Sequence, residues 1–203
     1  MTKPFVYLAS KSPRRRELLT QAGVAHEVLA SQAAGGVDLV DETPHPGEIP
    51  ASYVQRVARE KAAAGHQQVA RQALPPHPVL AADTTVAVEG RILGKPESAA
   101  AARAMLRDLS GRTHQVYTAV AVAWNGRMDV ALSESNVRMR KLSEAEIAHY
   151  VGTGEPLDKA GGYGVQGRAA IFIERIEGSY SGVMGLPLFE TAKLLSGAGL
   201  VLL

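Results

Sequence analysis

Three consecutive arginines stand at the start of a predicted helix, in the stretch LASKSPRRRELL that runs from Leu8 to Leu19. Ser12 is predicted to cap this helix, and Pro13 to fill its first position, where a missing N–H is tolerated. The partial positive charge of a helix N-terminus disfavours the basic side chains of Arg14–Arg16. A bound anion such as phosphate would offset this repulsion, and helical spacing would turn one of the three side chains toward it. Arginines that only point into water are the alternative interpretation.

Carboxylates form the second group of residues that could do chemistry. Asp83 follows an apolar run and precedes two threonines in LAADTTV, so it stands at the end of a buried strand, where sheet proteins build their sites. Asp41 and Glu42 lie in an acidic loop and could join Asp83 in holding a hard cation through oxygen ligands. A turn-capping aspartate and a solvated acidic loop are the alternatives.

Two lysines could add positive charge near these acids. Lys61 lies beside an apolar helical stripe, and its ammonium either points into a cleft or extends to water above a buried stem. Lys95 stands between a glycine and a proline in LGKP, which is either a rigid loop that carries one cation or an ordinary turn. The stripe beside Lys61 comprises Val54, Val57, Ala58 and Ala62.

A glycine-rich segment, GEPLDKAGGYGVQG, could form a ligand-binding loop near the C-terminal end of the chain. Its glycines let the backbone approach a ligand closely, and Gln166 offers both a donor and an acceptor to the edge of a base. The segment matches neither the Walker motif nor the dinucleotide-binding fingerprint. A flexible loop without a ligand is the alternative.

The elements that must position these residues alternate between strands and helices, with two hairpins in the middle of the chain. Glu89-Gly90 and Asn125-Gly126 are hairpin signals, and Ser143 with Glu146 predicts a capping box. Hairpins among helices predict a mixed sheet with helices packed on it rather than a purely parallel sheet. The other predicted elements are strands at 5–9, 79–82 and 169–176, helices at 13–23, 51–72, after Pro96 and at 188–195, and loops at 30–50 and 152–167.

Composition narrows the class of protein. With 203 residues, 46% hydrophobic and 21% charged, the chain is an ordinary globular protein. A net charge of +2 and 5% aromatic residues argue against a nucleic-acid binder that uses the arginine triplet. The absence of cysteine excludes disulfides and thiolate zinc sites and fits a reducing compartment. We expect a cytoplasmic protein, because no apolar run is long enough for a signal region or a membrane span.

Eight segments occur in an order that resembles the Maf-like nucleoside triphosphate pyrophosphatases, a family once described as septum-formation inhibitors. They run from Leu8 to Leu188, and their common order carries the resemblance. The segments are LASKSPRRRELL, VDETP, REKA, ADTTV, GKP, GRTHQVYTAV, GEPLDKAGGYGVQG and GSYSGVMGLPL.

The resemblance implies an α/β fold similar to that of the inosine-triphosphatase group. Its expected features are a single domain over residues 1–203, a mixed, curved central sheet with flanking helices, and two lobes around a cleft. The implied activity is hydrolysis of a nucleoside triphosphate to the monophosphate and pyrophosphate with a divalent metal cation, Mg²⁺ or Mn²⁺, in nucleotide-pool house-cleaning or division control. The form DKAGGYGVQG resembles the branch that acts on dTTP and UTP. A homodimer is an expectation from the family, whereas neither nucleic acid nor a membrane is an expected partner.

Roles for single residues also follow from the resemblance. Asp83 matches the catalytic acid–base position and could take a proton from water or hold the metal, the latter together with Glu42. Arg14, Thr84 and Gln166 match positions tied to substrate choice. Four residues match polar positions that line the part of the family's site where the phosphates and the metal bind, namely Ser10, Glu42, Lys61 and Lys95.

Two departures from the family pattern bear on the site. The acidic loop GGVDLVDET is longer than the usual VDE of the family, so either Asp38 or Asp41 could correspond to the aspartate of that motif. Gly182 and Met184 replace the more common Asn and Val, and we expect them to loosen their loop without touching a proposed ligand-binding residue. A protein that binds a nucleotide without hydrolysing it, and so regulates septum formation, is the alternative function.

Overall fold

One sheet of seven strands organises the part of the chain that the computed structural model describes, residues 4–29 and 40–202. The strands are β1 (Phe5–Leu8), β2 (Ala25–Val28), β3 (Val79–Val88), β4 (Arg91–Leu93), β5 (Thr113–Trp124), β6 (Arg127–Met139) and β7 (Ile173–Glu177). Their order is β2-β1-β3-β5-β6-β7, with β4 paired to β3. β1 runs parallel to β2 and β3, and the other pairs are antiparallel. The predicted mixed α/β fold is confirmed.

Helices cover both faces of this sheet. They are α1 (Pro13–Gln21), α2 (Pro50–Arg71), α3 (Ala99–Leu109), α4 (Glu144–Gly152), α5 (Tyr180–Met184) and α6 (Leu188–Gly197), and short 3₁₀ helices lie at Glu155–Asp158, Ala160–Gly162 and Arg168–Phe172. Among the described residues, none of these helices is both long and apolar enough to cross a membrane.

α2 packs across one face of the sheet by the apolar stripe that its sequence predicts. Val54, Val57, Ala58 and Ala62 are fully buried in a cluster with alanines of β3 and β5. Small side chains on both surfaces bring the helix close to the sheet. Any residue next to the stripe is therefore held near β3.

The opposite face carries two separate groups of helices. α1 and α6 pack on Leu80 and Val120, whereas α3 and α4 pack on Val86 and Val116. These four strand residues lie on the same face of the sheet because side chains alternate along a strand. The two groups correspond to the two lobes that the family resemblance implies.

The sheet has a break along one edge of β3. β1 pairs with β3 at Val79 and Leu80, and β4 pairs with it at Val86–Val88. In the described chain, the intervening residues 81–85 pair only with β5 on their other side. Asp83 lies in the middle of this break.

Local signals in the sequence locate most turns correctly. Glu89-Gly90 and Asn125-Gly126 both have positive φ at each position, as hairpin turns of the mirror-image type require. The capping box of Ser143 and Glu146 is present. These three predictions are confirmed because each depends only on neighbouring residues.

Other predictions are wrong in detail. Ser12 lies at the N-cap of α1, but its side chain makes no capping hydrogen bond. The strand predicted from Ala169 starts only at Ile173, because a 3₁₀ turn brings both Ala169 and Phe172 into the cluster around α4. The sequence did not predict β2 or α5. Asp38 and the rest of 30–39 lie outside the described residues, and 40–49 form a loop as expected.

Gly65 in α2 supplies a test of the close helix–sheet packing. A Cβ at this position would lie 2.9 Å from both Ala9 Cβ and Val79 Cγ1. We expect Gly65→Ala to lower the free energy of unfolding by about 1–3 kcal/mol in urea titrations, despite the better helix propensity of alanine. Gly152→Ala is the matched control, because nothing lies within 4 Å of its added Cβ. Equal stabilities of the two variants would contradict the packing described.

Candidate active site

A cavity of 720 Å³ lies at the break in the sheet, a volume within the usual range for small-molecule sites. Its walls come from α1, α2 and α5, from β3 and from the glycine-rich segment. The residues to which the family resemblance gives a role all line it, namely Ser10, Arg14, Glu42, Lys61, Asp83, Thr84, Lys95 and Gln166, whereas Asp41 of the acidic loop does not.

Positive charge dominates the described lining of this cavity. Cationic side chains outnumber acidic ones, and the N-terminus of α1 adds its partial positive charge. A polyanion is therefore the class of ligand that the cavity favours. The cationic residues are Lys11, Arg14, Arg15, Lys61, Lys95 and Lys159, and the acidic ones are Glu42, Asp83 and Asp158.

Asp83 is a buried carboxylate on the face of β3 that α2 covers, and only 5% of the residue is exposed. Lys61 Nζ of α2 donates to Asp83 Oδ1 at 2.8 Å and lies 2.7 Å from Glu42 Oε1. Asp83 Oδ2 is buried and has no hydrogen-bond partner in the described chain. The sequence left two interpretations of Lys61, a buried stem or an ammonium that points into a cleft, and both are partly right. Its stem is buried beside the apolar stripe, and its ammonium contacts the two acids of the cavity.

The two carboxylates differ in their proton affinity. Burial raises the pKa of Asp83 above its ordinary value, although Lys61 and Arg15 act in the opposite direction. Burial also acts to raise the pKa of Glu42, but the charges of Lys61, Lys95 and Arg15 prevail and lower it. Asp83 is therefore the better proton acceptor, and Glu42 stays ionised.

Arg15 is a site residue that the sequence reasoning did not single out. Its guanidinium donates to Gly185 O at 2.8 Å, to Ser10 Oγ at 3.0 Å and to Thr84 Oγ1 at 3.3 Å. Burial lowers its pKa, and the carboxylates of Asp83 and Glu42 act in the opposite direction. Helical spacing could have identified it, because Arg15 precedes the buried Leu18 by three residues.

Arg14 differs from its neighbour in having no hydrogen bond or ion pair with the described residues, although it is half-buried and lines the cavity. Arg14 and Arg15 both line the cavity, and the expectation that one of the three arginines faces a ligand stays a prediction. Arg15 connects three segments of the protein, and Arg14 keeps its donors for a ligand.

Gly182 and Met184 belong to the short helix α5, where a loosened loop was expected, and this helix lies beside the site. Thr118 Oγ1 lies 2.8 Å from Gly182 O and 3.0 Å from Thr84 Oγ1, and Met184 lines the cavity. A Cβ on Gly182 would lie 2.9 Å from Ser133 Oγ, so the glycine allows a close approach to β6. Gly182 is linked to Thr84 through Thr118, so the expectation that Gly182 and Met184 touch no proposed ligand-binding residue stays a prediction.

Lys95 and Gln166 are exposed residues on the rim of the cavity. Neither side chain has a hydrogen bond or ion pair within the part of the chain that the structure describes. A backbone hydrogen bond of 3.0 Å from Gly161 N to Gly94 O joins their two loops. Both side chains are thus available to a ligand.

The acids of the cavity can be tested for their fit to a divalent cation. Within residues 4–29 and 40–202 there is no cluster of three or more His, Asp or Glu that could hold a metal by itself. Mg²⁺ in phosphate-transfer sites is commonly held by one or two carboxylates plus substrate phosphates. Glu42 and Asp83, with its unpartnered Oδ2, fit a cation of that kind.

Comparisons with known proteins agree with the order of the sequence motifs. The family model described as "Maf-like protein" matches residues 5–198. The chain is 58% identical to the dTTP/UTP pyrophosphatase of Aromatoleum aromaticum over 196 residues, which cover 96% of this chain and 95% of the relative. It is 57% identical to the dTTP/UTP pyrophosphatase of Cupriavidus metallidurans, with 96% and 97% covered. Among solved structures, the Staphylococcus aureus Ham1 protein gives a TM-score of 0.37 at 14% identity, over 66% of this chain and 71% of that chain.

The two neighbouring arginines should differ in their effect on stability. Arg15→Ala removes hydrogen bonds to three acceptors and takes from the buried Gly185 O its donor, so we expect it to lower the free energy of unfolding by about 1–3 kcal/mol. Arg14→Ala removes a repulsion with the helix dipole and should leave stability unchanged or raise it by about 0.3–1 kcal/mol. Urea unfolding without nucleotide measures both, and similar losses in the two variants would contradict this division of roles.

His114 should make stability depend on pH. It is fully buried, its Nε2 lies 2.7 Å from the Tyr163 hydroxyl, and burial lowers its pKa to about 4. The unfolded chain takes up this proton near pH 6.5, so stability is lost as the pH falls from about 6.5 to 4, with on the order of 2 kcal/mol lost by pH 5. His114→Gln removes the titration, and its urea-unfolding free energy should fall less between pH 7.5 and pH 5. Equal losses in the two proteins would refute the assignment.

Proposed function

The chain belongs to the family of Maf-like proteins, and from that membership we propose that it hydrolyses a nucleoside triphosphate to the monophosphate and pyrophosphate. The observation that carries the proposal is the buried Asp83, with one free oxygen, inside a cavity whose cationic side chains outnumber its acidic ones. The curated relatives named above are dTTP/UTP pyrophosphatases, so dTTP and UTP are the substrates we propose.

The triphosphate would lie between the start of α1 and the loop of Lys95. Arg14 has free donors on the first of these walls, and Lys95 carries an unpaired charge on the second, as judged from the described residues. Backbone N–H groups at a helix N-terminus favour phosphate, and Arg can bind it with two parallel hydrogen bonds. These groups would also stabilise the charge of the departing pyrophosphate.

Asp83 is the residue we propose as the base. Lys61 holds Oδ1, so Oδ2 is the oxygen left to accept a proton from the attacking water. The water oxygen forms the new bond to the phosphorus of the monophosphate product, and the bond to pyrophosphate breaks. The raised pKa of Asp83 favours this role, since a base works best with a pKa near the working pH.

Glu42 would hold a divalent cation, Mg²⁺ or Mn²⁺, together with the phosphates of the substrate, and Asp83 Oδ2 would be its second protein ligand in the alternative to its role as the base. When bound, such a cation supplies neutralisation of phosphate charge. Lys61 Nζ lies within 2.8 Å of an oxygen of each of the two carboxylates and so keeps the two acids close together. The assignment of this cation rests on the chemistry of the two side chains, because carboxylate oxygens are ligands that such cations prefer.

Gln166 is the residue we propose to read the base. Its exposed carboxamide could donate to a carbonyl oxygen of thymine or uracil and accept from the N3–H. Cytosine presents an amino group and an unprotonated N3 on the same edge, so a carboxamide held in the orientation that fits uracil would find both contacts mismatched. Thr84 and Arg14, which also line the cavity, would contact the rest of the substrate.

Pyrophosphate release tests the proposed function. With Mg²⁺ or Mn²⁺, the wild type should turn over dTTP and UTP faster than CTP and GTP. Asp83→Asn should lose more than tenfold in turnover, about 1.4 kcal/mol in the barrier, because the amide keeps the shape without the base. Asp129→Asn is the matched control, an aspartate in β6 paired with Arg127 outside the cavity. Nucleotide binding without pyrophosphate release would overturn hydrolysis and support a non-hydrolytic regulator.

A further inference from the structure

Gln166 is held by a segment with little regular structure. The segment from Tyr163 to Gly167 lies between two 3₁₀ helices, and its side chains face the cavity. Gln166 is exposed while Gly164 and Val165 beside it are buried. A carboxamide that discriminates bases must be held within about 0.5 Å of its working position. Contacts from elsewhere in the protein must therefore fix this backbone.

Glu155 makes such contacts from behind the segment. Its Oε2 accepts a hydrogen bond of 3.1 Å from Arg168 N, two residues after Gln166. Its Oε1 accepts a hydrogen bond of 3.0 Å from the Tyr150 hydroxyl of α4. Its backbone carbonyl accepts a hydrogen bond of 2.7 Å from Lys159 Nζ. The carboxylate thus ties the end of the segment to α4.

Gly167 lets this carboxylate lie directly against the backbone. An added Cβ at Gly167 would overlap the Glu155 carboxylate. A backbone hydrogen bond of 3.0 Å from Gly167 N to Gly164 O closes the turn that presents Gln166. The position of the turn is therefore set by the position of the Glu155 side chain.

The other end of the segment has its own attachment. The Tyr163 hydroxyl lies 2.7 Å from Nε2 of the buried His114 in β5. This contact holds the start of the segment against the sheet. Glu155 acts on the end nearer to Gln166.

We propose that Glu155 is a positioning residue for base discrimination, holding the backbone of Gly167 and Arg168 so that Gln166 points into the cavity. The inference rests on the proposed function, since it names what orients the residue proposed to read the base. The charge of Glu155 matters because both of its side-chain partners are donors. A glutamine has the same shape but no charge and only one acceptor oxygen, so both hydrogen bonds become weaker neutral ones, and the Tyr150 hydroxyl must accept from the amide instead of donating to it.

Substrate discrimination is the readout that separates positioning from stability. For Glu155→Gln, we expect the ratio of kcat/KM for UTP over CTP to fall by fivefold or more, with CTP turnover within about threefold of wild type. The control is Glu144→Gln, an exposed glutamate paired with Arg107, which should leave the ratio unchanged. Tyr150→Phe removes one donor to Glu155 and leaves the hydrogen bond from Arg168 N in place, so it should lower the UTP/CTP ratio by a smaller factor. If Glu155→Gln does not fold, Tyr150→Phe is the variant that tests the proposal.

A double-mutant cycle tests the route through Gln166. In a Gln166→Ala background, Glu155→Gln should change the UTP/CTP ratio no further, because the side chain that it positions is gone. Equal losses on UTP and CTP, or additive effects in the double variant, would overturn the proposal.

The test also distinguishes failure of the proposed function. If the wild type releases no pyrophosphate from any nucleotide, hydrolysis is wrong, and calorimetric binding of UMP and CMP replaces the kinetic ratio. A preference for UMP that Glu155→Gln reduces would then still support positioning. Equal affinities for UMP and CMP in the wild type would overturn it.

Discussion

The burial of the Asp83 carboxylate is the constraint on which the rest of the structure depends. An ionised group inside a protein must be compensated by opposite charge or it becomes neutral. Lys61 supplies that charge at 2.8 Å, but only because α2 lies close enough to the sheet for a lysine beside its apolar stripe to reach β3. Gly65 and the alanines of that interface permit this distance. Helix packing and site chemistry therefore depend on the same contact.

The break in the sheet explains why a cavity forms at Asp83. β1 and β4 pair with the same edge of β3 at its two ends, which leaves the middle open. Two groups of helices cover the sheet on either side of this opening. A strand paired along its whole length would bury the same carboxylate out of reach of any ligand.

Two loops carry the remaining acids and amides, and side-chain hydrogen bonds place both. Arg56 of α2 holds the loop of Glu42 through two hydrogen bonds of 2.8 Å to Glu48 and one of 3.1 Å to Thr43 O. The same pairing lowers the pKa of Glu48 to about 2. Glu155 acts in the same way on the segment that carries Gln166, through its hydrogen bonds to Arg168 N and the Tyr150 hydroxyl. Charged hydrogen bonds thus provide the order that regular backbone pairing does not supply in these loops.

The sequence by itself determined what depends on near neighbours and on motif order. The Asn125-Gly126 hairpin and the stripe beside Lys61 follow from local conformation and spacing, and the ordered motifs predicted both the family and the residues around the cavity. Only the tertiary structure decided which arginine is used in which way, since Arg15 binds the carbonyl of Gly185, 170 residues away. It also decided that the last strand begins at Ile173, where packing against α4 overrides local β propensity. Contacts between distant segments depend on how the strands pair, and no local pattern specifies that pairing.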